Sequence, residues 1–247
     1  MITIVTPSSG GPTAFRVRDL LPGLCWDTRP DVTGSRAPED LQRAWVATAM
    51  AIREIVGAVT PGRCLWLNFV ARPLVENLLG EPVRLRAGFA MFVTGPGGAD
   101  CSWFGNQYCP DKWRQGFGMP LIPPTEHDFH AWLETETHVI DLSPFQVAPM
   151  MEDSNEHYPI KGALGTWPPM LYWPKRELPK HPREAWEDRK LLVWHKDTAL
   201  WRMDEEGRRM LQPIVVRAHT IYEWLHRGEK VDPAPTDLMR AALWGAN

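Results

Sequence analysis

Residues 129–143, "FHAWLETETHVIDLS", decide how this chain is read. Two short runs rich in β-formers flank a polar centre, which predicts an antiparallel hairpin. With the turn centred on Thr135 and Glu136, Glu134 faces Thr137, Trp132 faces Val139 and His130 faces Asp141. Facing Cβ atoms in such a pair lie about 4.5–5.5 Å apart. The two-residue period of a strand sets His130, Trp132 and Asp141 on one face and Ala131, Leu133, Ile140 and Leu142 on the other. The apolar face should pack on the core, while the polar face offers an imidazole oriented by a carboxylate. Thr-Glu is a poor two-residue turn, because such turns favour Gly or Asn. A longer loop about the same centre keeps the pairing, whereas a slip of one residue destroys it.

Upstream of the hairpin the pattern changes to helix. "PEDLQRAWVATAMAIREIVG" (38–57) places Leu41, Trp45, Ala49, Ile52 and Val56 at steps of three and four, with acids in its first turn and Gly57 as its stop. "TPGRCLWLNFVARPLVENLLG" (60–80) predicts a second helix capped by Thr60, with Pro61 in the first turn and Gly80 at its end. Pro73 removes a backbone donor inside it, so a kink or break is expected there. "PVRLRAGFAMFV" (82–93) then predicts a strand.

Elsewhere periodicity is weaker. Residues 1–38 read as an extended arm with a short helix near Val17–Leu21, and residues 94–127 as a long surface excursion. Prolines crowd between Pro144 and Pro182, which predicts an irregular wrapped segment pinned by Trp167 and Trp173. "RKLLVWHKDTALWRM" (189–203) adds a strand or two, and "EEGRRMLQPIVVRAHTIYEWLHRGE" (205–229) a closing helix that Pro213 bends or splits. Helices followed by a mostly antiparallel sheet, a wrap and a final helix make an α+β fold. The expected organisation is one domain over 1–247: an arm (1–38), a core (39–145), a Pro/Trp-rich wrap (146–190) and a C-terminal strand and helix (191–247).

Composition bounds the function. The chain has 247 residues, 44% apolar and 23% charged, within the range of an ordinary globular domain. A net charge of -3 with both signs scattered excludes the basic footprint of a nucleic-acid or anionic-membrane binder. No apolar run approaches the roughly 20 residues of a membrane span, and "MITIVTPSSGG" has neither the basic start nor the apolar block of an export signal. A cytoplasmic protein is therefore expected, with its four cysteines (25, 64, 101 and 109) as free thiols. No two of them form C-x-x-C, which removes zinc-ribbon and thioredoxin-like readings.

Cys64 is the cysteine with chemical promise. In the first turn of a helix a thiol sits among unpaired N–H groups at the positive end of the dipole, and Arg63 adds to the field. The same N–H groups suit an oxyanion. The bland alternative is an inert apolar filler, since free cysteine is among the most buried residue types. What tips the balance is that a base and its orienting acid, His130 and Asp141, stand on a separate element.

Cys64 at a helix start, then "HAWLE" and "VIDLS" in the order Cys, His, Asp, resembles the transglutaminase-like branch of the papain-type cysteine enzymes. The likeness spans about Thr60 to Pro144 and rests on short motifs. It implies a helix carrying the nucleophile Cys64, packed on an antiparallel sheet that carries the general base His130 and the orienting Asp141. It also implies a peptide or amide substrate taken through an acyl-enzyme, hydrolysed by water or passed to an amine, with no cofactor. A non-catalytic protein-binding module that keeps the fold is the rival from another class.

The remaining candidates are weaker. Cys25, in "LCWDT", has a Trp after it but no room for a helix between Pro22 and Pro30, and Cys101 and Cys109 read as loop thiols. His127 and His130 form H-x-x-H, but positions three apart on a strand point to opposite faces, so no metal site is expected. Trp132 either shields the imidazole, contacts substrate or packs under the wrap, and Glu134 and Glu136 read as turn solvation. Substrate identity and oligomeric state are not legible.

Overall fold

A computed structural model describes residues 3–8, 11–16, 37–56, 64–94, 100–116, 129–144, 170–188, 191–195 and 200–228. In chain order these form strands β1 (Thr3–Ser8) and β2 (Gly11–Arg16), helices α1 (Glu39–Val56) and α2 (Cys64–Leu79), and strands β3 (Arg84–Thr94) and β4 (Asp100–Phe104). There follow α3 (Asp111–Gly116), β5 (His130–Glu134), β6 (His138–Asp141), β7 (Leu171–Pro174), α4 (Pro182–Asp188), β8 (Leu192–His195) and α5 (Leu200–His226). The class is α+β: an antiparallel six-stranded sheet, a separate two-stranded hairpin (β1–β2) and a layer of helices.

Several segments carry more regular structure than their composition predicts. The arm contains the β1–β2 hairpin, the excursion contains β4 and α3, and the proline-rich region contains β7 and α4. The expected helix at Val17–Leu21, the Thr60–Pro61 cap, Arg63, Cys25, His127 and Trp167 all lie outside the described residues. Both helix-internal prolines, Pro73 in α2 and Pro213 in α5, sit within continuous helices. Each removes a single hydrogen bond, and the buried Leu74 and Val75 beside Pro73, like Ile214 and Val215 beside Pro213, hold the turns in place through the core.

The helical layer packs on one face of the sheet. Trp45, Ile52, Leu67, Phe69 and Val70 from α1 and α2 meet Leu85, Leu133 and Ile140 from the strands and Leu142 just beyond β6, with Ile214, Ala218 and Ile221 of α5 closing the layer. The buried Arg217 of α5 donates twice to the partly buried Glu54 of α1, at 2.7 and 2.9 Å. The apolar face of the hairpin thus points where its alternation predicts. The other face has its own cluster of Ala90, Phe92, Trp132, Val139, Leu171 and Trp173.

Strand β3 organises the sheet. Gly88 pairs with both His130 and His195, and Ala90 with both Phe104 and Val193, so β8 runs along one edge of β3 while β5 and β4 follow each other along the opposite edge. The hand-over occurs at Gly105, which has φ +72°, and a Cβ there would lie 2.1 Å from the Gly88 carbonyl oxygen. A side chain at Gly105 would therefore force β4 and β3 apart. This close backbone approach brings Phe104 and His130 to the same place on the sheet.

The hairpin itself is registered differently from expectation. Leu133 pairs with Ile140 and Glu134 with Val139, so the centre lies between Glu136 and Thr137. Trp132 therefore does not face Val139, nor Glu134 Thr137. The slip is an even number of residues, and every side chain keeps its predicted face. The cause is Thr135. Its hydroxyl accepts hydrogen bonds from the N–H groups of Thr137 (3.1 Å) and His138 (3.0 Å), and its own N–H donates to the His138 carbonyl (2.9 Å), which builds a longer loop.

Candidate active site

Three elements place the three predicted residues. Cys64 is the first residue of α2, His130 the first of β5 and Asp141 the last of β6. Continued by one residue, the observed register sets Asp141 opposite Trp132 and diagonal to His130 rather than directly facing it. A diagonal step of about 7–8 Å remains within reach of an imidazole. The His130 Nε2 to Asp141 Oδ2 distance is 2.7 Å.

The remaining oxygen of Asp141 is fixed as well. Oδ1 accepts from the Ser143 N–H at 2.8 Å and from the Ser143 hydroxyl at 2.6 Å. Ser143 is buried, and its role is one the sequence reading missed. The signal was present: a serine two residues after an aspartate is the spacing at which a carboxylate bonds the chain just beyond it.

Nε2 is committed to the carboxylate, which leaves Nδ1 as the ring nitrogen not engaged by Asp141. Cys64 Sγ lies 3.9 Å from the carbonyl oxygen of Phe129, the residue before His130, and the sulfur is near enough to the ring to help raise it. Exposure falls from 8% at Cys64 to 5% at His130 and 1% at Asp141, so the thiol is the outermost of the three. Around the ring, Phe92 meets it edge-on at 5.3 Å between centroids, Phe104 lies at 5.8 Å and Trp132 is stacked at 6.3 Å. Trp132 therefore encloses the imidazole, and at 1% exposure it is part of the sheet's second core.

This enclosure sets the electrostatics. Burial opposes the imidazolium, but the charge and hydrogen bond of Asp141, joined by the Cys64 sulfur, outweigh it and raise His130 from 6.5 to about 10. Burial would likewise raise Asp141, yet the imidazolium and the hydrogen bonds from His130 and Ser143 hold its carboxyl below the ordinary 3.8. The pair is thus charged across the neutral range.

The face carries further polar groups. Glu134 is not simply turn solvation: it bonds Arg86 Nε and Lys175 Nζ, each at 2.7 Å, and these partners hold its carboxyl below the ordinary range despite burial. His138 lies on the other face, stacked on Tyr172 at 4.2 Å. The indole N–H groups of Trp132 and Trp173 are buried without a hydrogen-bond partner.

The chain resembles in fold a solved structure described as "The crystal structure of genomics APC5867", with 14% identity and a TM-score of 0.50 over 75% of this chain and 78% of that one. At this identity the likeness concerns the fold alone. No family model matches the chain, and no curated protein does. No helix among the described residues is long and apolar enough to cross a membrane.

Proposed function

We propose that this protein is a cytoplasmic thiol hydrolase of transglutaminase-like or papain-like architecture, acting on a peptide or amide through Cys64. The observation that carries the reading is the 2.7 Å bond between His130 and Asp141 on the sheet, with the Cys64 thiol beside the same ring at a helix start. Chemistry, order and placement agree across three elements.

The steps follow from these groups. The Cys64 sulfur, its proton held on His130, attacks the substrate carbonyl carbon, and charge gathers on the carbonyl oxygen near the first-turn N–H groups of α2. As the tetrahedral species collapses, the C–N bond breaks and the imidazolium gives its proton to the departing amine. The neutral ring then takes a proton from water, whose oxygen attacks the thioester; the C–S bond breaks, the acid leaves and the proton returns to the ring and sulfur. Asp141 holds the ring in the required tautomer throughout. Trp132, expected as a candidate for substrate contact, is instead fully buried against the imidazole, so its part is to shield the ring rather than to meet substrate.

Incubation with a panel of acyl-peptide and amide probes, read by intact mass, tests the proposal. The wild type should gain the acyl mass, Cys64→Ser should gain none, and His130→Ala should react about 10²–10⁴-fold more slowly. Interception of the acyl group by added amine would assign acyl transfer instead of hydrolysis. A Cys64 that remains inert to every probe and to iodoacetamide would leave a binding module and sink the enzyme reading.

A further inference from the structure

Asn68 lies one helical turn beyond Cys64 and is fully buried. Its Nδ2 donates to the carbonyl oxygen of Cys64 at 2.8 Å and to that of Ala131, the residue after His130, at 2.9 Å. Its Oδ1 accepts from the N–H of Leu142, the residue after Asp141, at 3.2 Å. Two carbonyls and one N–H as partners fix the orientation of the amide without ambiguity. The Leu142 carbonyl is in turn held by the indole N–H of Trp45 at 2.9 Å, so side chains from α1 and α2 grip both backbone groups of the residue beside Asp141.

From this we infer that Asn68 is the positioning residue of the site, one amide that ties the backbone at Cys64 to the backbones adjoining His130 and Asp141 and so sets sulfur, ring and carboxylate in register. The inference rests on the thiol reading proposed above. The geometry is more demanding than core packing requires, because a planar group with two donors and one acceptor at this length is supplied by asparagine alone. Aspartate keeps the shape but sets its oxygen against two carbonyl oxygens. Leucine keeps the volume but removes the side-chain partners of the buried Ala131 carbonyl and Leu142 N–H. In either case α2 loses its tie to β5 and β6, and a displacement of about 1 Å is enough to degrade a reacting geometry.

The test compares iodoacetamide alkylation of Cys64 at pH 6 and pH 9 in the wild type, Asn68→Asp, Asn68→Leu and Ile221→Ala, with rates corrected for the folded fraction. Ile221 is buried in α5, an element that carries none of the three groups, and its truncation supplies a matched loss of stability. Expected are a fall of at least about tenfold in the pH 6 to pH 9 rate ratio for the Asn68 variants, reflecting lost thiolate–imidazolium geometry, and an unchanged ratio for Ile221→Ala. Asn68→Gln, which keeps the amide but moves it by one methylene, serves the same comparison if the other two do not fold. Folded Asn68 variants that retain the wild-type ratio would overturn the positioning role while leaving the thiol reading intact. A wild type whose ratio equals that of His130→Ala would instead overturn the thiol reading, and the inference with it.

Discussion

Cys64 and Cys109 are both free, both buried, and both close to a helix start, yet their surroundings set them apart. Cys109 lies two residues before the six-residue α3, among Phe89, Met91, Trp113, Ala185 and Leu192, with its sulfur 3.8 Å from the Pro110 carbonyl. Burial pushes its thiol up to about 11; Arg114 pulls down and Asp111 pushes up, and neither reverses the effect of burial. Cys64 begins a 16-residue helix and faces an imidazole that a carboxylate keeps charged. Burial by itself silences a cysteine. On the function proposed above, a charged partner inside the same low-dielectric volume is what would give Cys64 its nucleophilic character.

The largest expected effect is therefore the difference in reactivity between the two thiols. At pH 7 a thiol titrating near 11 is thiolate in about one molecule in ten thousand. Iodoacetamide at pH 7, followed by peptide mapping, should label Cys64 at least about a hundredfold faster than Cys109. Equal rates would abolish the comparison.

Asp141→Asn should next make Cys64 resemble Cys109. Without the carboxylate the ring loses its largest favourable partner and is neutral at pH 7, and alkylation of Cys64 at that pH should fall about tenfold or more. The same variant tests a linkage. The folded chain keeps the His130 proton up to about 10, whereas an unfolded imidazole releases it near 6.5. Stability from this group is thus complete below about 6.5 and is lost as pH rises from there to about 10. Asp141 acts in the opposite sense, with its contribution lost as pH falls below the ordinary 3.8. In a Cys64→Ala background, where the thiol's own titration is absent, the urea midpoint should decline from pH 6.5 to pH 10, and Asp141→Asn should flatten that decline. A flat wild-type profile would mean that the ring is not held charged.

The extent to which the site could be read from sequence follows from the same physics. Faces were legible at the hairpin because alternation survives any even slip, so His130, Trp132 and Asp141 were placed together although the register was not. Register depended on the Thr135 hydroxyl, a local hydrogen bond that competes with the tight turn and leaves no trace in hydrophobic pattern. Asn68 was invisible for a related reason: a polar residue inside the apolar run "CLWLNFV" reads as an imperfection until its three backbone partners, 4, 63 and 74 residues away, come together. Gly105 was likewise one glycine among 19 until β3 was found to carry β4 and β5 on the same edge. Strands β4, β7 and β8 were hidden or blurred because they are four or five residues long and stabilised by neighbours distant in sequence.

The smallest expected effect concerns Cys109 and sharpens the comparison from its silent side. If Cys109 is only a packing group, Cys109→Ala should cost about 1 kcal/mol through the lost contacts of the sulfur with Phe89, Trp113 and their neighbours. Denaturant unfolding would read that loss. The alkylation rate of Cys64 and its pH dependence should not move, because Cys109 belongs to a cluster distinct from the one that contains Trp132 and Phe92 beside His130. The two clusters share β3 and β8, whose alternate residues point to opposite faces: Phe89 and Met91 to one, Ala90 and Phe92 to the other. A shift in Cys64 reactivity on truncating Cys109 would show that strain crosses the sheet at β3, and that the reactive thiol depends on packing behind it as well as on the ring in front of it.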